Sequence, residues 1–229
     1  MNILAIETST EACSVALLRD DGQVFSEFEI TPRQHTRYLP LMLDEVYRQA
    51  DIVRIKTDYV TYSSGPGAFT GVRIAAATAQ GLSLGLSVPL IPVSTLAVLA
   101  QETCDSQPVE RIMSALDARM GEVYCAEYHK NTLGLVELRG EELLVKLELL
   151  TLGDGMAGAG SGFAACQQSG HHFSQECAVF ADIYPTARAL VKLARHAVTQ
   201  NQVVDVNNTQ INYIRNQVAE KKATPQIVF

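Results

Sequence analysis

The string Ser64-Gly65-Pro66-Gly67-Ala68-Phe69-Thr70-Gly71-Val72-Arg73 is the most chemically suggestive in this 229-residue chain. It follows a strand-like run and opens a helical one, so its N–H groups and the helix dipole could hold an anion. It fails both phosphate fingerprints. A P-loop needs a second glycine where Thr70 stands and then a lysine, and no lysine follows. A dinucleotide loop needs glycine at 65, 67 and 70, and 70 is again threonine. The simpler reading is a tight turn with Thr70 as helix N-cap and glycines that let strand and helix approach. Glu7 and Asp117 each close an apolar strand and enter a small-residue turn. Facing each other they would suit a magnesium-bound nucleotide; apart, they are ordinary solvated acids. Histidines 35, 129, 171, 172 and 196 form no H-x-x-x-H pair, which removes a helical two-histidine metal site, and His171-His172 reads as a solvated loop. Neither Tyr62-Ser63-Ser64-Gly65 nor Gly160-Ser161-Gly162 is a G-x-S-x-G elbow. The reading is therefore of no catalytic group, no metal and no cofactor.

Apolar periodicity supplies the elements that must position these residues. Ile3–Ile6 and Cys13–Leu18 read as buried strands, Asp20-Asp21-Gly22 as a turn, and Val24–Ile30 as a third strand. Gln34–Ala50 is helical, Tyr59–Ser63 a fourth strand, and Val72–Leu86 a second helix. After the polar stretch Asp105-Ser106-Gln107-Pro108 the plan restarts, with strands over Ile112–Leu116, Val123–Tyr128 and Leu135–Leu138. The glycine-rich run from Gly153 to Gly162 carries a short strand and opens a helix, and Thr186–Val198 is a further helix. Two lobes, 1–107 and 108–229, each built on a βββαβα unit, form an α/β fold. That duplicated ribonuclease-H-like plan belongs to the actin-like ATPase superfamily, where the two turns face each other across a cleft.

Composition narrows the function. Eighteen Lys plus Arg against 25 Asp plus Glu leave a net charge of −7, which argues against a free-standing nucleic-acid binder. Cys13, Cys104, Cys125, Cys166 and Cys177 contain no C-x-x-C pair and read as reduced thiols of a cytoplasmic protein. Met1 to Glu7 has no basic leader and reads as a strand. Ile74 to Val93 is uncharged for a length that could span a bilayer, but Gln80, Pro89 and Pro92 divide it into helix, turn and strand, so no membrane is expected.

The two N-terminal helices are too apolar for one core. Tyr38, Leu39, Leu41, Met42, Leu43, Val46 and Tyr47 fill an arc of roughly 240°, where a one-sided surface helix needs about 100°. On the second helix Ala77, Gly81 and Gly85 make a smooth stripe at i, i+4, i+8 that allows another helix to come close. Extra burial within the chain is one explanation. A helical protein–protein interface is the preferred one.

Ile3-Leu4-Ala5-Ile6-Glu7-Thr8-Ser9-Thr10, the Gly65–Arg73 string, Pro92-Val93-Ser94-Thr95-Leu96 and Asp117-Ala118-Arg119-Met120-Gly121-Glu122-Val123-Tyr124 together resemble the TsaB (YeaZ) family of bacterial tRNA threonylcarbamoyladenosine biosynthesis proteins, over nearly the whole chain. The resemblance implies a non-catalytic scaffold that activates a larger paralogue, TsaD, which carries the H-x-x-x-H metal motif, with the ATPase TsaE as a third component. It implies that tRNA is engaged only indirectly and that the N-terminal helices make the contact, through Tyr38, Leu41, Met42, Arg73, Ala77, Gly81 and Gly85. The same surface would form a homodimer when the chain is alone. Glu7, Thr8, Ser9 and Asp117 would then be a vestigial nucleotide cleft. Glu7 stands where the family usually shows Asp, and Ile211-Asn212-Tyr213-Ile214-Arg215 keeps only the Tyr and Arg of the family's C-terminal Pro-Val-Tyr-Leu-Arg. Lys221 and Lys222 are too small a basic cluster to hold tRNA and read as a solvated tail.

Overall fold

A computed structural model of the chain describes residues 1–171, 173 and 177–214. In the first half it runs β1 (Ile3–Glu7), β2 (Ala12–Leu18), β3 (Val24–Ile30), α1 (His35–Ala50), β4 (Tyr59–Ser63), α2 (Phe69–Leu86), β5 (Leu90–Val93) and α3 (Thr95–Ser106). The second half runs β6 (Arg111–Arg119), β7 (Glu122–Lys130), β8 (Val136–Lys146), β9 (Ala157–Ala159), α4 (Ser161–Gln168), β10 (Val179–Phe180) and α5 (Ala187–Thr199). The strands form two five-stranded sheets, ordered β3-β2-β1-β4-β5 and β8-β7-β6-β9-β10. In each, the first three strands are antiparallel, and the fourth and fifth join the free side of the first in parallel. The second sheet repeats the first strand for strand, as the order of elements implied.

Strand alternation sends side chains to both faces of each sheet, and helices cover both. Leu4, Ile6, Val15 and Leu17 pack with Leu39 and Val46 of α1 and Ala75 and Ala79 of α2. Ile3, Ala5 and Ala16 on the opposite face meet Leu190, Val191 and Ala194 of α5. In the second sheet Ile112, Leu116 and Tyr128 meet Leu96, Leu99 and Ala100 of α3, while Ala115, Val123 and Cys125 meet Phe163 and Cys166 of α4. Helices α3 and α5 touch each other and form the layer between the sheets. Each crosses over: α3, from the first half, covers the second sheet, and α5, from the second half, covers the first.

Several local details differ from the sequence reading. Helix α2 starts at Phe69, after Ala68, so Thr70 lies inside the first turn and is not the N-cap. The tether is elsewhere, because Ala68 N–H donates to Ser9 O at 2.7 Å and starts the helix early. The strand read at Leu135–Leu138 continues to Lys146, carried past its polar centre by Gly140 at φ +83° and a register shift opposite Cys125–Glu127. The periodicity reading assigns no helix at α3, and Asp105-Ser106, the start of the expected boundary, is its last turn. Ser94 caps it by accepting from Leu96 N–H. In the second lobe only a 3-10 turn over Leu147–Leu149 lies between β8 and β9, where α1 stands in the first. Among the described residues, no helix is long and apolar enough to cross a membrane.

Candidate functional site

The turn after β1 is an internal brace. The Glu7 carboxylate accepts from Ser9 N–H at 2.6 Å, from the Ser9 hydroxyl and from the Ser63 hydroxyl at the end of β4. Burial pushes its carboxyl up from 4.5 to about 6, against the pull of those hydrogen bonds from Ser63 and Ser9. The Thr8 hydroxyl donates to Gly71 O at 2.8 Å, and Ser9 O takes the Ala68 N–H already described. A Cβ on Gly67 would lie 2.5 Å from Ser9 O, and one on Gly71 would run into the Thr8 carbonyl. The glycines therefore serve the close strand–helix approach inferred from sequence. Glu7 and Thr8 are fully buried and do not line the cleft, which corrects their assignment to it. Of that turn, Ser9, Thr10 and Glu11 reach the cleft wall.

The cleft between the lobes has a volume of about 740 Å³. Asp117 lines it as expected, but it is bound to its own strand's end: it accepts from Arg119 N–H at 2.7 Å and from the Arg119 guanidinium at 2.8 Å. Arg119 also reaches across to Glu11 at 3.3 Å. Glu7 and Asp117 are thus not a facing acid pair. With Glu7 buried and Ser9 N–H spent on it, the first turn does not fit a magnesium-bound phosphate. Four cysteines are buried; burial pushes the Cys104 and Cys125 thiols to about 11, and burial plus the Glu7 charge pushes Cys13 to about 12. None of these three offers a thiolate nucleophile.

The chain beyond α5 closes one side of the cleft. Leu90 and Val204 pair, and the Tyr62 hydroxyl donates to Gln210 O at 2.9 Å. Asn212 N–H donates to Ser64 O at 2.7 Å, and its side-chain amide donates to Glu142 at 2.6 Å. Glu142 also accepts the hydroxyls of Ser94 and Tyr128, so it joins α3, β7, β8 and this strap. Sequence reading missed Glu142 and Asn212; their partners are far apart in the chain, and no local pattern marks them. Tyr213 lies 5.2 Å from the Arg73 guanidinium. His172, Arg215, Lys221 and Lys222 lie outside the described residues.

The expected interface residues divide. Met42 is 7% exposed and packs in the first core, a correction: it sits one turn from Leu39 and Val46 on the sheet-facing side of α1. Tyr38 is half-buried against the same core. Leu41 is 62% exposed. Ala77, Gly81 and Gly85 line the outer side of α2, with Arg73 half-buried at the head of their stripe, where it also lines the cleft beside Phe69 and Tyr213. Phe69 and Leu84, also on α2, are 62% and 64% exposed and were not singled out from sequence, although Leu84 lies two turns beyond Ala77. Among the described residues beyond the helix itself, a Cβ on Gly81 or Gly85 would meet nothing within 4 Å.

Two sheets of one topology, duplicated around a cleft and crossed by α3 and α5, define a member of the actin-like ATPase superfamily. Residues 28–156, more than half of the chain, match the family model for TsaD, tRNA N6-adenosine threonylcarbamoyltransferase. The chain is 36% identical over 227 residues to the tRNA threonylcarbamoyladenosine biosynthesis protein TsaB of Escherichia coli (strain K12), covering 97% of this chain and 98% of the relative. It is 33% identical over 233 residues to the TsaB of Haemophilus influenzae, covering 97% of each. The solved structure of YeaZ from Pseudomonas aeruginosa superposes with a TM-score of 0.86 at 36% identity, over 93% of this chain and 99% of that one. The chain belongs to the TsaB (YeaZ) family, within the wider TsaD family.

Proposed function

We propose that the chain takes part in tRNA threonylcarbamoyladenosine biosynthesis as a non-catalytic, cytoplasmic subunit. Its outer α1–α2 face packs against a TsaD-type threonylcarbamoyltransferase and holds it in working form, with a TsaE-type ATPase as third component. In this reading tRNA is engaged through the partner, and the same face makes a homodimer when the partner is absent. The lobes 1–107 and 108–229 are its two units.

The observation that carries the proposal is the pair Gly81 and Gly85. Each weakens an exposed helix by about 1 kcal/mol relative to alanine, and none of the described residues occupies the space their missing Cβ atoms leave. Their flatness would serve something that lies against α2 from outside. Exposed Leu41, Phe69 and Leu84 around the stripe are the apolar surface such a neighbour would bury. The rival reading, a kinase-like or peptidase-like enzyme, has the cleft volume in its favour, and a calorimetric Mg-ATP titration of the chain tests its nucleotide form.

Ala77→Arg places a long charged side chain on the stripe, at a position already exposed. The variant should fold normally, lose binding to the TsaD-type protein by at least 100-fold, and fail to support modified tRNA in cells depleted of the wild-type chain. Unchanged modification in those cells would reject the scaffold reading.

A further inference from the structure

We infer that Arg73 makes the α2 face select a different chain, one that offers a carboxylate, over a second copy of itself. This rests on the reading of α2 as a docking face and names the chemistry of what docks there. Arg73 is the sole charged residue of α2, and it heads the Ala77–Gly81–Gly85 stripe at the same four-residue spacing. Among the described residues no carboxylate pairs with it. Its guanidinium lies 3.2 Å from the Phe69 ring centroid and 5.2 Å from that of Tyr213, and one N–H donates to Phe69 O at 3.1 Å. Both rings are at least half exposed. The two rings hold the guanidinium in place and leave it without an acid, an arrangement suited to receiving a carboxylate with little loss of side-chain freedom. Helix α2 adds to the attraction, because Ala68 has no side-chain oxygen to cap its positive end, one turn away.

Among the described residues the chain's own face leaves no acid free for it, and the two acids that share the cleft with Arg73, Glu11 and Asp117, are both held by Arg119. Helix α2 has none, and on α1 Asp44 is paired with Arg54 and Glu45 with Arg48. Packing the face on itself would bring two Arg73 guanidinium groups to the interface with no free carboxylate from the described residues of α1 or α2. A helix carrying Asp or Glu at the right place turns the same residue from a cost into an anchor, with Phe69 and Tyr213 excluding water around it.

The test measures two associations of the intact chain. Purified TsaD-type protein from the same cell is titrated by calorimetry at low and high salt, and self-association is followed by sedimentation equilibrium. Arg73→Ala should weaken the heterologous complex at least tenfold and flatten its salt dependence, while self-association stays equal or tightens. Arg73→Lys should recover part of the affinity, since the charge returns without the fork. Circular dichroism checks that substitution at this half-buried position leaves the fold intact. Equal losses in both associations, or none in either, overturn the inference. The docking face is judged separately by Ala77→Arg. If that variant loses the partner while Arg73→Ala keeps it, the face stands and the role of Arg73 falls. If Ala77→Arg binds as wild type, both fall.

Discussion

The two lobes place glycine at matching points, and they part company where the helices differ in length. After β4, Gly67 and Gly71 let the start of α2 rest against the carbonyls of Ser9 and Thr8. After β9, Gly160 and Gly162 let the start of α4 rest against Ala115 of β6, with would-be Cβ atoms 2.5 Å and 3.1 Å from its carbonyl oxygen. The fourth strand feeds its helix back over the first strand in both lobes, so closeness there belongs to the fold. Helix α4 then stops after 8 residues, whereas α2 continues for 18. The added length, about 15 Å at 1.5 Å per residue, carries Gly81 and Gly85, whose missing Cβ atoms would meet none of the described residues beyond their own helix. The closeness both lobes share is explained from inside; on the proposed function, the length that α2 alone adds is explained from outside.

The largest expected effect lies on the shared side. Gly71→Ala drives a Cβ into the Thr8 carbonyl, and neither backbone can yield: Thr8 follows directly on buried β1, and its hydroxyl already bonds Gly71 O. The cost should be about 3 kcal/mol, at the upper end for overpacking, read as a lowered midpoint in urea unfolding. A loss under about 1 kcal/mol would mean that the start of α2 can slide, and the lobes would then differ at their inner ends as well.

Glu7 tests whether that inner brace depends on charge. Its folded carboxyl titrates near 6 against 4.5 in the unfolded chain, so the fold favours the protonated form. Its favourable contribution is complete below about pH 4.5 and is lost as pH rises through 6. Above that, the buried charge costs about 2 kcal/mol. Glu7→Gln keeps the shape, can accept from Ser9 and can donate to Ser63. Unfolding curves of the two proteins should coincide near pH 4, with the variant more stable by about 2 kcal/mol at pH 8. Identical stability at pH 8 would mean that the serine hydroxyls compensate the burial in full.

Most of this architecture was legible in the sequence, and the errors have physical reasons. Continuous apolar runs such as Ile3–Ile6 and Cys13–Leu18 mark strands buried on both faces, so these strands and the duplication could be read directly. Which sheet a helix covers is not a local property, and nothing within α3 or α5 announces that each crosses to the other half's sheet. Met42 was misplaced because an apolar arc as wide as that of α1 does not say where core ends and surface begins. Glu7 was misplaced because a strand-end acid can turn either way. What turned it inward was a hydroxyl on Ser63, 56 residues further on. The stripe Ala77–Gly81–Gly85 was visible as a pattern, whereas its emptiness from inside needed coordinates.

The smallest expected effect addresses the unshared side of the comparison. Gly81→Ala removes backbone freedom from an exposed helix turn and adds a methyl where no described residue beyond its own helix stands within 4 Å. The isolated chain should gain about 1 kcal/mol from each of Gly81→Ala and Gly85→Ala, measurable at concentrations low enough to keep it monomeric. The same methyl groups stand where a partner helix would lie closest, so the doubly substituted chain should bind the TsaD-type protein more weakly while unfolding later. Those opposite signs separate the alternatives. Glycines kept for the chain's own sake would lose stability on substitution, as Gly71 should. Glycines kept for nothing would gain stability and leave binding untouched. Only a surface shaped for another helix gives a gain in one measurement and a loss in the other.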